Sequence, residues 1–320
     1  MAGCQDWGVA ELGQRWVLLR RFLRLRTAML ASLYLLSLSV LFLVWSLVSG
    51  HDPNALSESQ FSPPSPAFWF GTDVHGRDLF SRTMVGLRIS LLVGVCGALV
   101  SLAIGTLWGA SAAYLGGRWD ALLMRTVDVL YAMPSIIFVI VLMATYDGVV
   151  SPWVEQGLQV LGGDDQGETA SALRLGLLYV GLGAVSWLTV ARIVRGEVLA
   201  LRERTFVLAS RVLGASGLRI LFRHLLPNLA GVLLVYLTLT IPTIVIYESF
   251  LSYLGLGIQP PAASLGSLIA EGAQQMNPIR IYWWMILFPA LALVLTLLSL
   301  NYVGDGLRHV VNLRVSSETR

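Results

Sequence analysis

The sequence predicts an all-α integral membrane protein, a bundle of six transmembrane helices. Of its 320 residues, 56% are hydrophobic and only 13% charged. The mean hydropathy is +0.71. Apolar stretches near the roughly 20 residues that cross a bilayer as a helix recur along the chain, at 28–49, 89–115, 127–146, 175–191, 229–247 and 283–303. The first carries no charge from Ala28 to Val48. It is too long for a secretory signal core, so it is predicted to be retained. The second holds a small-xxx-small pair, Gly105 and Gly109, with Gly94 and Gly97 earlier in the same span, and this predicts close helix packing. The third has Asp128 near its start and Pro134 inside, which predicts a kink supported by neighbours. The fourth, the shortest, lies between Arg174 and Arg192. Pro227 precedes the fifth as a first-turn proline. The first, second, fourth, fifth and sixth show no acidic residue or histidine at their centres.

All 22 basic residues are arginine, and lysine is absent. That excludes a P-loop ATPase, Schiff-base chemistry and Ser-Lys dyads in this chain. Cys4 sits in a polar tail and Cys96 in an apolar run, so no disulfide framework is expected. His51, His75, His224 and His309 are scattered singly, without metal-ligand spacing. With both termini inside, 17 arginines fall in cytoplasmic segments and five (Arg77, Arg82, Arg88, Arg174 and Arg280) outside. This is a strong positive-inside signal. The 147–172 loop is acidic and includes GGDDQGE, but it lacks the ligand spacing of a calcium loop and reads as solvated.

Seven arginines lie between Arg192 and Arg223, in a segment predicted to be two short helices broken at Gly214. In the second half Leu218, Leu221, Phe222 and Leu225 form an apolar stripe at i, i+3, i+4 and i+7. In the first half Phe206, Ala209, Ser210 and Leu213 share a side. Amphipathicity alone also allows an interfacial pair lying on anionic lipid.

An alanine, a glycine five residues later and a Leu-Pro at the foot of the next span resemble the EAA loop of ABC importer permeases. Ala209, Gly214, Leu226 and Pro227 match that motif. Leu208 stands in place of the usual glutamate, Ser210 in place of its second alanine, and His224 in place of isoleucine. Ala215 follows the glycine. The stretch FWFGTDVHGRDLFSRTMVGLRISL, Phe68 to Leu91, is similar to the Gly-Thr-Asp…Gly-Arg-Asp…Ser-Arg signature of one permease subunit of dipeptide and oligopeptide importers. It supplies Gly71, Thr72, Asp73, Gly76, Arg77, Asp78, Ser81, Arg82, Gly86, Arg88 and Ser90. The charged residues Asp73, Arg77, Asp78 and Arg82 are close enough to pair in a compact outer knot that braces the loop rather than touching substrate. As exposed ion pairs they would add little energy but fix geometry. Finally, ESFLSYLGLGIQPPAASLGSLIAEG, Glu248 to Gly272, resembles the same family's Leu-Gly-Leu-Gly…Pro-Pro segment. Gly255, Gly257, Pro260, Pro261 and Gly266 interrupt it, so it is either a broken outer gate or an ordinary loop.

The resemblance covers roughly residues 28 to 312 and implies a type I ABC importer permease bundle. It implies a cytoplasmic tail over 1–27, a first helix over 28–49, a periplasmic segment over 50–87, a permease domain over 88–304 with its coupling loop at about 192–228, and a C-terminal tail over 305–320. The implied setting is a bacterial inner membrane, with membrane lipid around the chain and no nucleic acid. The implied partners are a second permease of B type, two ATP-binding subunits and an external substrate-binding protein. The chain itself would be non-catalytic and without a cofactor, ATP and Mg being bound by the partners. The implied cargo is di- or oligopeptide, with nickel complexes, glutathione or another small solute as alternatives. An ion-coupled secondary transporter is the rival class, and an intramembrane enzyme has no paired acids, Ser/His pair or metal cluster to support it.

Overall fold

The computed structural model describes residues 22–48, 52–153, 166–260 and 262–318. Among the described residues the named α-helices are α1 (Arg26–Val48), α2 (Leu79–Leu115), α3 (Gly117–Tyr131), α4 (Ser135–Thr145), α5 (Gln166–Arg202), α6 (Thr205–Val212), α7 (Gly217–Ile220), α8 (Leu226–Tyr253), α9 (Leu265–Gln274) and α10 (Trp283–Glu318). π-helical turns occupy Tyr146–Val150 and Leu221–Leu225. Among the described residues six stretches are long and apolar enough to cross a membrane: Arg26–Trp45, Leu79–Leu115, Ile136–Trp153, Gly176–Arg202, Gly217–Tyr253 and Trp283–Val311.

Several boundaries differ from the sequence expectation for physical reasons. α2 and α5 have 37 residues each, which is about 55 Å at 1.5 Å per residue. Both outrun an apolar core about 30 Å thick, and a hydropathy window sees only the buried part of such rods. α2 therefore begins at Leu79, inside the predicted 50–87 segment, and contains Arg88, whose guanidinium lies over the Phe42 ring of α1 at 5.2 Å. The third span is not a kinked helix over 127–146. Residues 117–131 form a separate amphipathic helix that ends before Pro134, and the third candidate span starts at Ile136. A residue preceding proline is pushed out of the helical region, so Met133 ends the run completely. The acidic 147–172 segment is partly helical: the third span runs on to Trp153 and α5 starts at Gln166, while residues 154–165 of it lie outside the described residues.

α2 is the central rod, packing most extensively on α5 and also on α8. The predicted small residues make this possible. A Cβ on Gly109 would sit 2.2 Å from the Ala191 carbonyl oxygen, one on Gly105 would sit 2.6 Å from Val190 Cβ, and one on Gly94 would sit 2.6 Å from Val245 Cγ2. At the C-terminus of α2, Gly116 and Gly117 both take positive φ, 65° and 55°, and turn the chain into α3. The apolar core runs the length of the rod. One cluster joins Val93, Ala98, Met143, Leu182, Ile244 and Leu251. A second, toward the C-terminal end of α2, joins Ala113, Val198, Val207, Leu221, Leu225 and Leu229.

Gly196 on α5 has open space where Gly109 has backbone. Gly109→Val is expected to lower the stability of the purified chain by about 1–3 kcal/mol through overpacking. Gly196→Ala is expected to leave stability unchanged or raise it by up to about 1 kcal/mol. Thermal unfolding in detergent checks both.

Candidate functional site

At the end of the bundle where α2 begins, the Gly-Thr-Asp…Gly-Arg-Asp…Ser-Arg stretch folds as a knot around one buried carboxylate. Asp73 is fully buried. Its Oδ1 accepts from the backbone N–H groups of His75 at 2.8 Å and Arg77 at 2.9 Å. Its Oδ2 accepts from Arg77 Nε at 2.7 Å and Arg82 Nη1 at 2.6 Å. Gly71 and Gly76 take φ of 77° and 72°. Any Cβ at Gly76 would lie 2.1 Å from the Ser57 carbonyl oxygen, so only glycine fits. The Thr72 hydroxyl accepts from the Ser62 N–H at 2.8 Å and donates to the Ser59 carbonyl, tying the preceding loop down.

Two details depart from the sequence reading. The pairs are not exposed: Arg82 is 1% exposed and Asp73 0%. Asp78 does not pair with arginine. It caps α2, accepting from the Ser81 N–H at 3.0 Å and from the Ser81 hydroxyl, because a carboxylate preceding a helix finds unpaired N–H groups closer than any guanidinium. Sequence reasoning also missed Glu271 of α9. It receives Arg82 Nη1 at 2.6 Å and Nη2 at 3.0 Å, a two-pronged contact across 189 residues, and Arg77 Nη2 at 3.5 Å. Only an acidic residue on an otherwise apolar helix signalled it. The knot is further clasped by Trp284 of α10, whose Nε1 donates to the Thr72 carbonyl at 3.3 Å, and by Phe70 stacked on Phe288 at 4.1 Å.

The broken segment lies beside this knot. α8 stops after Tyr253 in a left-handed turn: Gly255 has φ 79°, its N–H donates to the Ser252 carbonyl at 3.1 Å, and the Leu256 N–H donates to the Leu251 carbonyl at 2.9 Å. The described residues between Gly255 and Ser264 are non-helical, and Ser264 caps α9 in a reciprocal bond pair with Ser267. Gly257 and Gly266 are close-approach positions, where a Cβ would meet Ser252 Oγ and the Ser249 carbonyl oxygen, both at 2.1 Å. Pro260 is exposed, and Pro261 lies outside the described residues.

At the far end of α2 the arginine-rich segment is helix–turn–helix. α6 ends with Gly214 at φ 79°, its N–H donating to the Arg211 carbonyl at 2.9 Å and the Ala215 N–H donating to the Ser210 carbonyl at 3.0 Å. After the turn α7, the π turn and α8 run on as one helix, so the second loop helix is the foot of the fifth span rather than a separate piece. Pro227 explains the π turn. It has no N–H to donate back to Arg223, and the wider turn over Leu221–Leu225 absorbs the loss. The predicted apolar stripe divides. Leu221 and Leu225 are buried with Ile220, whereas Leu218 and Phe222 are 68% and 58% exposed. On α6 the buried residue is Val207, and Leu208, Val212 and Leu213 are exposed. Ala209, Gly214 and Pro227 are exposed too, and Ser210, Ala215, His224 and Leu226 are half-buried. The segment is seated on α2. The Tyr114 ring occupies the place a side chain at Gly217 would take, and Arg202 Nη1 donates to the Ala113 carbonyl at 2.9 Å.

α3 is strapped to α5 by arginine. Arg195 donates Nε and Nη2 to the two oxygens of Asp120, both at 2.6 Å. Arg192 Nη2 donates to Asp128 at 2.9 Å and lies over the Tyr131 ring at 4.1 Å. Hydrogen bonds from Arg195 hold the Asp120 carboxyl below the usual carboxylate range.

Arg82→Ala leaves Asp73 buried with fewer donors, and is expected to cost about 3–5 kcal/mol. Glu271→Gln, at a half-buried position, is expected to cost less, about 1.5–3 kcal/mol for a lost charged hydrogen bond. Denaturation of the two purified variants ranks them. For Asp120 the folded value is depressed, so its stabilisation is present above the ordinary carboxylate pKa and disappears as pH falls through the folded value. Asp120→Asn should therefore be less stable than the native chain at neutral pH, and the gap should close only in acid below the usual carboxylate range. Melting curves across that window check the sign.

Residues 105–317 match the family described as the binding-protein-dependent transport system inner membrane component. Over 297 residues the chain is 37% identical to the oligopeptide transport system permease protein OppC of Haemophilus influenzae, covering 92% of this chain and 86% of that one. Over 295 residues it is 40% identical to the dipeptide transport system permease protein DppC of Bacillus subtilis, covering 92% and 83%. Among solved structures, a chain of the MetNI methionine ABC transporter in inward-facing conformations superposes with a TM-score of 0.50 at 21% identity, over 72% of this chain and 97% of that one. That likeness is one of fold, the type I importer permease bundle. With six membrane-length helices and relatives matched over nearly its whole length, the chain belongs to the binding-protein-dependent transport system inner membrane component family.

Proposed function

We propose that this chain is one of two unlike permeases that together form the translocation path of an ATP-driven importer for dipeptides and oligopeptides. The observation that carries the reading is similarity at 37–40% identity over 92% of the chain to permeases named for oligopeptide and dipeptide transport. Two ATP-binding subunits, holding ATP and Mg, drive it, and an external substrate-binding protein delivers the peptide. The 17-to-5 arginine split supports cytoplasmic termini and a cytoplasmic position for α6, α7 and the π turn.

On this reading the exposed apolar group Leu208, Val212, Leu213, Leu218 and Phe222 is the surface that enters a cleft of an ATP-binding subunit. Ala209, Ser210, Gly214, Ala215, His224, Leu226 and Pro227 set its shape. Leu208, 46% exposed, presents an apolar side chain where the family motif has an acid, so the contact there is apolar. The Asp73 knot is structural, and the segment carrying Gly255, Gly257, Pro260, Pro261 and Gly266 forms the outer gate. Transport then proceeds by alternating access, with ATP binding and hydrolysis in the partners shifting the permease pair between inward and outward openings.

Purification from the native membrane is expected to recover ATP-binding subunits and a second permease, identified by mass spectrometry. Recovery of the chain alone would overturn the proposal. In that complex Gly214→Val, forced into a left-handed conformation, is expected to lower ATP-driven peptide uptake by about tenfold or more. Gly214→Asn, which tolerates that conformation, is expected to retain most of it.

A further inference from the structure

The fifth candidate span carries a carboxylate that the ion pairs of the molecule leave aside. Glu248, one residue beyond the predicted span 229–247, lies inside Gly217–Tyr253 and is fully buried. Among the described residues its bonds are to hydroxyls, not to arginine. Ser90 of α2 donates to Oε2 at 2.7 Å, Ser252 donates to Oε1 at 2.7 Å, and Ser249 donates to Oε2 at 3.4 Å. The Ser264 side chain, at the start of α9, lies near the same carboxylate.

These hydroxyls are not free side chains. Ser252 Oγ also accepts from the Ile258 N–H at 3.1 Å, inside the broken segment. Ser264 Oγ also accepts from the Ser267 N–H at 3.2 Å, at the start of α9. One carboxylate therefore gathers α2, the last turn of α8, the middle of the connection and the first turn of α9. Glycines let the backbones close around it: a Cβ on Gly86 would lie 3.0 Å from the Ser264 carbonyl carbon, and Gly257 and Gly266 are the close approaches already described. Gly255 is the contrast, with φ 79° and open space around it. The segment thus has a free pivot at one end and a tight polar clasp beyond it.

A buried acid inside a spanning helix is expensive. Apolar packing would hold three backbones together without that cost. What a carboxyl group adds is about four acceptor positions at one point, so donors from separate elements are held together or released together. A cooperative polar network of this kind has discrete closed and open arrangements, unlike a greasy contact that slides.

We propose that Glu248 is a positioning residue of the transport cycle, a hydroxyl-bound latch that holds residues 254–260 and 262–264 against α2 and releases them when α2 and α8 move apart. This rests on the transport reading above. The test uses the complete complex of both permeases, ATP-binding subunits and binding protein in vesicles. Uptake of a labelled tripeptide and ATP hydrolysis are measured on the same preparation, and the readout is peptide moved per ATP. A lost brace lowers both rates together and leaves that ratio alone. Glu248→Ala is expected to lower the ratio about tenfold while hydrolysis stays within about twofold. Glu248→Gln, whose amide can bond the same hydroxyls, is expected to restore most of the loss. Ser90→Ala cuts only the tie to α2 and leaves every helix cap intact, so it carries the test even where Glu248→Ala does not assemble. It should lower the ratio in the same direction. An unchanged ratio in Ser90→Ala, or uptake and hydrolysis falling in parallel, overturns the latch. Absence of tripeptide uptake by the wild-type complex overturns the transport reading instead.

Discussion

A carboxylate taken out of water must be met by donors from the protein itself, and the architecture at one end of this bundle follows from that requirement. Asp73 is buried in the loop before α2 and draws Arg77 and Arg82 onto itself. Arg82 is itself buried and cannot shed its charge. Its Nη donors also go to Glu271 on α9, which gathers the two carboxylates around one guanidinium. α9 is a ten-residue helix, too short to be stable in isolation. It stands because its end near Glu271 is bound through arginine to α2, and its beginning is capped by Ser264 beside the Glu248 cluster. The two attachments differ in kind. The first is a charge network that is costly to part, and the second consists of neutral hydroxyls around one acid, each bond modest alone.

The opposite end is governed by a missing donor. Pro227 removes one N–H from a helix that must pass from the surface loop into the spanning segment. The π turn before it spares the helix a break, and so couples the loop rigidly to α8. Gly214 closes the loop with a turn whose hydrogen bonds are all local. Tyr114 fills the space over Gly217, and Arg202 reaches the Ala113 carbonyl near the end of α2. The loop is therefore a firm projection from two long helices, seated through Val207, Ile220, Leu221 and Leu225 while Leu208, Val212, Leu213, Leu218 and Phe222 face outward.

Features set by near neighbours along the chain are legible in the amino-acid sequence. The Gly214 turn, the Asp73–Arg77 pair one helical turn apart and the small-residue face of α2 each need only a few adjacent residues. Asp78 is legible too, since an acid directly before an apolar helical run is a cap signal, but its proximity to arginines invites the ion-pair reading. The third span is misplaced by hydropathy because Val127, Leu130 and Tyr131 blend into the next apolar run across Pro134, and hydropathy carries no information about the break. Glu271 and the Gly217–Tyr114 contact are out of reach for a different reason. Each joins residues far apart in the chain, and no local pattern states which arginine a lone acid will meet.

What unites the two ends is α2. Thirty-two residues separate Arg82 from Tyr114 along one uninterrupted helix, about 48 Å. Packed tightly against α5 through Gly105 and Gly109, such a helix has little freedom to bend, and a displacement applied at its loop end must appear as rotation or translation at its other end. There it meets α9 through Arg82 and, through Ser90, the Glu248 carboxylate of α8 that the broken segment is tied to. If the charge network moves as one body with the rod, the yielding element has to be the weaker attachment. That places the strain of a cycle on the hydroxyl cluster around Glu248 and on the open pivot at Gly255, and leaves the Asp73 knot to preserve the register between α2 and α9 while the chain between them moves.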